Sequence, residues 1–295
     1  MKNIVVMLLA AIMMVACSDA DRYGAMRKQL EDFISDKDAE IGVAVIIDGA
    51  DTVEVNGRGQ FPMLSVYKFP IALAFDDGAQ AGAEMLLDTI TLTRDDLLPD
   101  TNSPMRDRYA SCDTVRLPLN EVLAYSLQLS DNNASDVIVR LAGGMDRVRA
   151  ALCRLDAAGV SVESTEAEMH ADNALCYRNS ASPLAMARLM DRFAAEIPES
   201  GITREIKRLM ETCATGTDRL AKPLAGTGAV LGHKTGTGFT LPDGRLMAVN
   251  DAGYVLLPDG RRYTIAVFVA NSGYSMAATE ALIADISAIV YNAVK

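Results

Sequence analysis

The chain has 295 residues, half of them hydrophobic and 23% charged, which is enough to bury a sizeable core in one or two domains. Its formal net charge is −11 with a pI near 4.7, and no Lys/Arg-rich run interrupts it, which argues against a nucleic-acid partner. Two histidines with no His-x-His spacing, and no Cys-x-x-Cys, leave a zinc hydrolase without support, so no metal or organic cofactor is expected.

In chain order, Lys2 precedes an apolar run from Ile4 to Val15. Its length suits a signal-peptide core and falls short of the roughly 20 residues a membrane span needs. Residues 1–16 are therefore expected to be a lipoprotein-type signal peptide. Met14-Val15-Ala16-Cys17 resembles a lipobox, with Cys17 lipidated; the alternative is ordinary secretory cleavage just beyond it. Either route makes the protein exported and periplasmic, and the first anchors it to a membrane. The remaining cysteines, Cys112, Cys153, Cys176 and Cys213, allow three full pairings, and free thiols are equally compatible with their wide spacing.

Asp21 to Asp36 reads as an amphipathic helix, and Ile41–Ile47 as an apolar, β-branched strand. Thr52–Val55 alternates and pairs with it across the turn at Asp48–Asp51. The middle of the chain is helical in texture: Leu119–Ser130, Asn133–Leu141, Met145–Asp156 and Ser182–Glu196. Strands return at Val230–Lys234, Leu246–Leu257 and Arg262–Val269, with a hairpin turn at Pro258-Asp259-Gly260, and Ser275–Val294 closes the chain as a helix. No later segment reads as a membrane span. Strands at both ends with helices between them predict an α+β fold: an antiparallel sheet flanked by helices, plus an all-helical insertion, with a cleft where the two meet. The expected division is 17–60 with 211–295 for the α/β part and 61–210 for the helical part.

Four short motifs carry the chemistry. In Ser65-Val66-Tyr67-Lys68 the serine and lysine lie three residues apart, on one face of a helix. A serine hydroxyl needs a base to become a nucleophile, and a lysine can act as one when burial or a nearby cation removes its proton. Pro70 suits a first helical turn, which places Ser65 near a helix N-terminus where its own N–H can face an oxyanion. Ser130-Asp131-Asn132 closes one helix and caps the next; it offers a hydroxyl for proton transfer and an amide to bind substrate. Lys234-Thr235-Gly236-Thr237 ends a strand with a cation, a hydroxyl and an outward N–H. Glu166, in Thr165-Glu166-Ala167-Glu168-Met169-His170, supplies a base for water. Each motif is weak alone, and the order is the signal.

With these motifs in this order the chain resembles the serine penicillin-recognising enzymes, closest to the class A β-lactamases and within them to the Bacteroides-type cephalosporinases. Ile41-Gly-Val-Ala-Val, Ser130-Asp-Asn-Asn-Ala134 and Asn250-Asp251-Ala-Gly add to the likeness, which covers nearly the whole mature chain. The resemblance implies a β-lactamase/transpeptidase-like fold with a five-stranded sheet and an Ω-shaped loop at about 160–180. It implies that Ser65 attacks a β-lactam carbonyl with Lys68, Glu166 or both as base. Ser130 passes a proton to the ring nitrogen, and Glu166 activates the water that releases the acyl group. Ser65 and Thr237 supply the oxyanion N–H groups, and Asn132, Lys234, Thr235 and Gly236 bind substrate, with Arg219 as an extra cation. A monomer is expected.

Three departures stand out: Ala167 for the usual Pro, His170 for Asn and Asp136 for Asn. A cis bond before a non-Pro residue costs about 3–4 kcal/mol, so Glu166–Ala167 is expected to be trans. His170 is then a candidate to orient the water. Two other functions share the remaining motifs: a penicillin-binding peptidase acting on D-Ala-D-Ala, and a sensor domain that stays acylated. Glu166 argues against both.

Overall fold

The computed structural model describes residues 23–79, 83–195, 197 and 199–295; the expected leader and Cys17 lie outside them. Helix α1 spans 23–34. Strands β1 (Glu40–Ile47), β2 (Asp51–Val55), β8 (Val230–Thr237), β9 (Leu246–Leu256) and β10 (Arg262–Ser272) form a five-stranded antiparallel sheet in the order β2-β1-β10-β9-β8. The sheet therefore joins the two ends of the chain, and β8 is one of its two edges, β2 the other.

Both faces of this sheet are covered, which is why its strands read as nearly continuous apolar runs. Val43, Val45 and Ile47 of β1 point into one cluster with Met26 and Leu30 of α1 and with Ile283 and Ile286 of the closing helix α10 (Met276–Val294). That helix is long and apolar enough to cross a membrane, yet its apolar side lies buried on the sheet. Alternate residues Ala44, Ile46, Ala266 and Phe268 face the other cluster, shared with the helices. Burying a side chain such as Phe268 contributes roughly 1.5–3 kcal/mol.

On that second face lie α2 (Lys68–Ala79), α3 (Pro104–Arg108), α4 (Leu119–Gln128), α5 (Asn132–Leu141), α6 (Met145–Arg154), α7 (Glu166–Ala171), α8 (Pro183–Ala195) and α9 (Gly201–Glu211). α8 packs directly on the sheet, where the Thr264 hydroxyl donates to the Ala187 carbonyl at 3.2 Å. The middle of the chain is not purely helical. Short strands β4 (Thr89–Thr93) and β5 (Thr114–Pro118) pair with each other, and β3 (Phe61–Pro62), β6 (Val160–Ser161) and β7 (Ser180–Ala181) form a second small ladder. Runs of two to five residues, even β-branched ones such as Thr89–Thr93, leave too little periodicity to be read as strands. The β6–β7 pairing brings the ends of the 160–180 loop together, and the Asn179 side chain ties its neck to the N–H groups of Glu163 and Ser164.

Candidate active site

The site is a cleft of about 550 Å³ between the edge strand β8 and the helices, within the range that holds a drug-sized ligand. Ser65 lines it, part-exposed. It sits in a 3-10 turn, Leu64–Tyr67, that precedes α2, so the helix proper begins at Lys68 rather than at the serine. The Lys68 N–H still donates to the Ser65 carbonyl, which keeps both side chains on one side of the turn. Leu64 just before it is left-handed, with φ 48°, a conformation bulky residues avoid and surrounding contacts must impose. Those contacts come from β9: the Asn250 amide donates to the carbonyls of Pro62 and Met63 at 2.8 and 3.1 Å.

Lys68 is fully buried. Its Nζ donates to the Ser130 carbonyl (2.7 Å) and Asn132 Oδ1 (2.6 Å) and lies 3.1 Å from Glu166 Oε1. Ser130 also has a left-handed backbone, with φ 58°, and sits between α4 and α5. That geometry turns its hydroxyl to Lys234 Nζ, which donates to it at 2.9 Å. Asp131 behind it caps α5 through the Ala134 N–H and holds Ser103 and the Met105 N–H. Asn132 opens α5, and its amide nitrogen donates to Thr101 Oγ1 (2.6 Å).

The β8 wall is built by close approach. A Cβ on Gly236 would lie 2.3 Å from the Met63 carbonyl oxygen, so only glycine lets the strand meet the Ser65 turn. The Gly238 N–H donates to Ala248 O, and Thr237 faces Val249 one step earlier. Antiparallel alternation therefore sends the Thr237 N–H away from β9, off the sheet edge towards the cleft. Lys234 is fully buried, and burial pulls its pKa down to about 7, with Lys68 and Arg219 adding to the effect and Cys213 and Asp251 opposing it. Thr235 Oγ1 lies 2.6 Å from Thr215 Oγ1. Arg219 is buried rather than a surface cation: it donates to Thr237 Oγ1 (2.7 Å) and to the carbonyls of Gly236 and Asn250, and pairs with Glu280 at 3.1 Å.

Glu166 opens α7, whose first turn is closed by a capping box between Thr165 and Glu168. No cis peptide occurs among the described residues, so Glu166–Ala167 is trans, as the sequence led us to expect. The N–H groups of Glu166 and Ala167 both donate to Asp136, at 2.7 and 2.8 Å. Burial raises the Asp136 pKa to about 6, with the charge of Glu166 adding to it, although these two bonds and the Lys68 charge pull the other way. His170 lies exposed further along α7, on the cleft lining.

Sequence reasoning missed two contributors. Tyr67 has a fully buried hydroxyl beside Glu166; burial, then the charges of Glu166 and Asp136, raises its pKa well above that of a free phenol, so it stays a donor. Asn250 anchors the serine turn, and its signal was present: it and Asp251 are polar residues inside an otherwise apolar strand.

The family profile described as the β-lactamase enzyme family matches residues 25–294. This chain belongs to the class A β-lactamases. It is 34% identical over 279 residues to a β-lactamase of Bacteroides uniformis, covering 94% of this chain and 93% of that one. A β-lactamase of Phocaeicola vulgatus is 37% identical over 256 residues, covering 86% and 79%. The crystal structure of a class A β-lactamase from Bacteroides cellulosilyticus superposes with a TM-score of 0.87 at 33% identity, over 92% of this chain and 98% of the other. The Bacteroides relationship read from the motifs holds.

Proposed function

We propose that this β-lactamase opens the lactam amide of penicillins and cephalosporins through an acyl-enzyme on Ser65, and releases it with a water activated by Glu166. The observation that carries this reading is the part-buried Glu166 carboxylate, 3.1 Å from Lys68 Nζ and held in place by Asp136 beneath the same cleft that Ser65 lines. Lys68 and Glu166 take the Ser65 proton as the hydroxyl attacks the carbonyl carbon. The N–H groups of Ser65 and Thr237 receive the developing oxyanion. Ser130, hydrogen-bonded to Lys234, gives a proton to the departing ring nitrogen. Lys234, Thr235 and Ser130 bind the substrate carboxylate. Arg219, through Thr237 and the Gly236 carbonyl, sets the strand rather than pairing directly with the substrate. Asn132 binds the substrate side-chain amide, and His170 orients the hydrolytic water from the α7 side. The trans bond at Ala167 gives the loop its own path and suits the cleft to bulky cephalosporins. The protein is exported as a monomer, anchored by lipid on Cys17.

The deciding experiment mixes purified protein with a chromogenic cephalosporin. Many turnovers per enzyme are expected, with Ser65→Ala inactive and Glu166→Gln giving one stoichiometric burst. A burst that stops in the unaltered protein, or turnover that survives Ser65→Ala, overturns the proposal. His170→Ala is expected to slow deacylation more than acylation in single-turnover measurements; equal slowing makes His170 structural. Metabolic labelling with a fatty acid, lost in Cys17→Ser, tests the anchor.

A further inference from the structure

Lactam hydrolysis leaves one buried polar pair behind the cleft without a task. His233 and Thr235 alternate along β8, so their side chains share one face of the sheet, while Lys234 between them turns to the other face and meets Ser130. Asp251 of β9 stands opposite Thr235, on the His233 face. Its carboxylate is fully buried and is engaged at both ends. His233 Nδ1 lies 2.8 Å from Oδ1, and the Leu220 N–H donates to Oδ2 at 3.2 Å. His233 is itself buried. A Cβ on Gly253, which stands opposite His233, would lie 2.7 Å from the His233 Cβ, so the glycine leaves the imidazole its place on this face.

The two partners of Asp251 are each one residue away from a cation of the cleft. His233 precedes Lys234, and Leu220 follows Arg219. Arg219 reaches over the same two strands, donating to the carbonyls of Gly236 and Asn250. The Leu220 carbonyl is held from the opposite side by the Ser287 hydroxyl of α10 at 3.0 Å. One carboxylate thus ties the strand that carries Lys234 to the segment that carries Arg219.

We propose that Asp251 is a positioning residue whose two oxygens set the spacing between the Lys234 strand and the Arg219 segment, and so shape the wall of the cleft that receives the substrate carboxylate. A buried carboxylate is costly unless it is paired and hydrogen-bonded, and both conditions are met here. Such a pair adds little stability over apolar side chains of the same volume, whereas it does fix which segments meet and at what distance. Burial opposes charge on His233, but the charge and hydrogen bond of Asp251 raise the imidazole to about 10, so Nδ1–H remains the donor at neutral pH. Imidazolium and carboxylate cancel, and the pair brings no net charge to the wall. Its contribution is therefore geometric: a shift of either tie moves a cleft cation relative to Ser65.

The test measures KM and kcat of the full chain for a carboxylate-bearing lactam and for the methyl ester of the same lactam. This inference rests on Lys234 as the receptor of the carboxylate, so the unaltered protein is expected to show the lower KM for the acid. Asp251→Leu, close in size but without an acceptor, is expected to raise KM for the acid by about 5- to 10-fold, with kcat and the ester KM within about twofold. Asp251→Asn is expected to keep the acid KM within about twofold of the unaltered value, because its carbonyl accepts the Leu220 N–H and its amide donates to Nδ1 of a neutral His233. The contrast between Leu and Asn isolates the two hydrogen bonds from the charge, which both variants lack. Should Asp251→Leu not fold, Asp251→Ser, whose hydroxyl is too short to span both partners, carries the same expectation. KM rising alike for acid and ester, an acid KM that stays fixed, or an Asn variant that matches the Leu variant overturns the proposal. Acid and ester bound alike by the unaltered protein overturns the reading of Lys234 and this inference with it, and that result appears before any substitution is made.

Discussion

Asp136 accepts two hydrogen bonds from the first N–H groups of α7, and that is work for the ionised form. Burial pulls against it and raises the carboxyl from 3.8 to about 6. The native state therefore holds this proton more firmly than the unfolded chain does. Asp136 favours the native state while protonated, below about pH 4, and that contribution is lost as pH rises through about 6, a swing on the order of 2–3 kcal/mol. Asn in its place cannot titrate. The stability of the unaltered protein relative to Asp136→Asn is expected to fall by that amount between pH 4 and 6.5 in urea titrations; parallel curves refute the assignment. At Gly236 the constraint is steric, because the clashing atom is a backbone oxygen that no rotamer change can move. Gly236→Ala is expected to lower kcat/KM by about 10- to 100-fold by shifting the serine turn from β8, with the fold retained by circular dichroism.

The element that decides the position of Ser65 is β9. Asn250 gives two N–H bonds to the Pro62 and Met63 carbonyls and accepts one from the Val269 N–H, all in buried surroundings. Asn250→Leu leaves those backbone groups unpaired, at about 1–3 kcal/mol each. The expected result is a loss of about 3 kcal/mol or more in urea unfolding together with slower acylation; loss of stability with unchanged acylation would separate β9 from the serine turn. Much of the element pattern is legible in the sequence, because a sheet buried on both faces demands β-branched runs such as Ile41–Ile47. The ends are less so. β8 runs on to Thr237, where Thr-Gly-Thr lacks apolar character and only its pairing with β9 makes it strand. The Ser-x-x-Lys spacing announces a local pair. The clasp of Asp136 on α7, 30 residues away, and the pairing of Asp251 with His233 across β8 and β9 exist only once distant segments meet.

At the scale of the whole molecule, three cations converge on the cleft of a chain with formal charge −11. Lys68 is 3.1 Å from Glu166 and Arg219 3.1 Å from Glu280. Lys234, by contrast, directs its hydrogen bonds to the neutral oxygens of Ser130 and Thr235. It is thus the cation with charge to offer a substrate carboxylate, and also the one burial has brought to about 7. Its proton is held partly by the negative background of the rest of the chain, which favours a cation. Above about pH 7 the free enzyme loses that proton, so kcat/KM for a carboxylate-bearing lactam is expected to decline on the basic side, while an ester of the same lactam shows no such limb. Raising ionic strength from 0.01 to 0.15 M shortens the screening length from about 30 to about 8 Å, which removes most of the distant contribution and leaves the short-range one. The midpoint of the basic limb should then move to lower pH by a few tenths. A midpoint that stays fixed places the control of Lys234 wholly in its immediate neighbours, and one that rises contradicts the sign of the field.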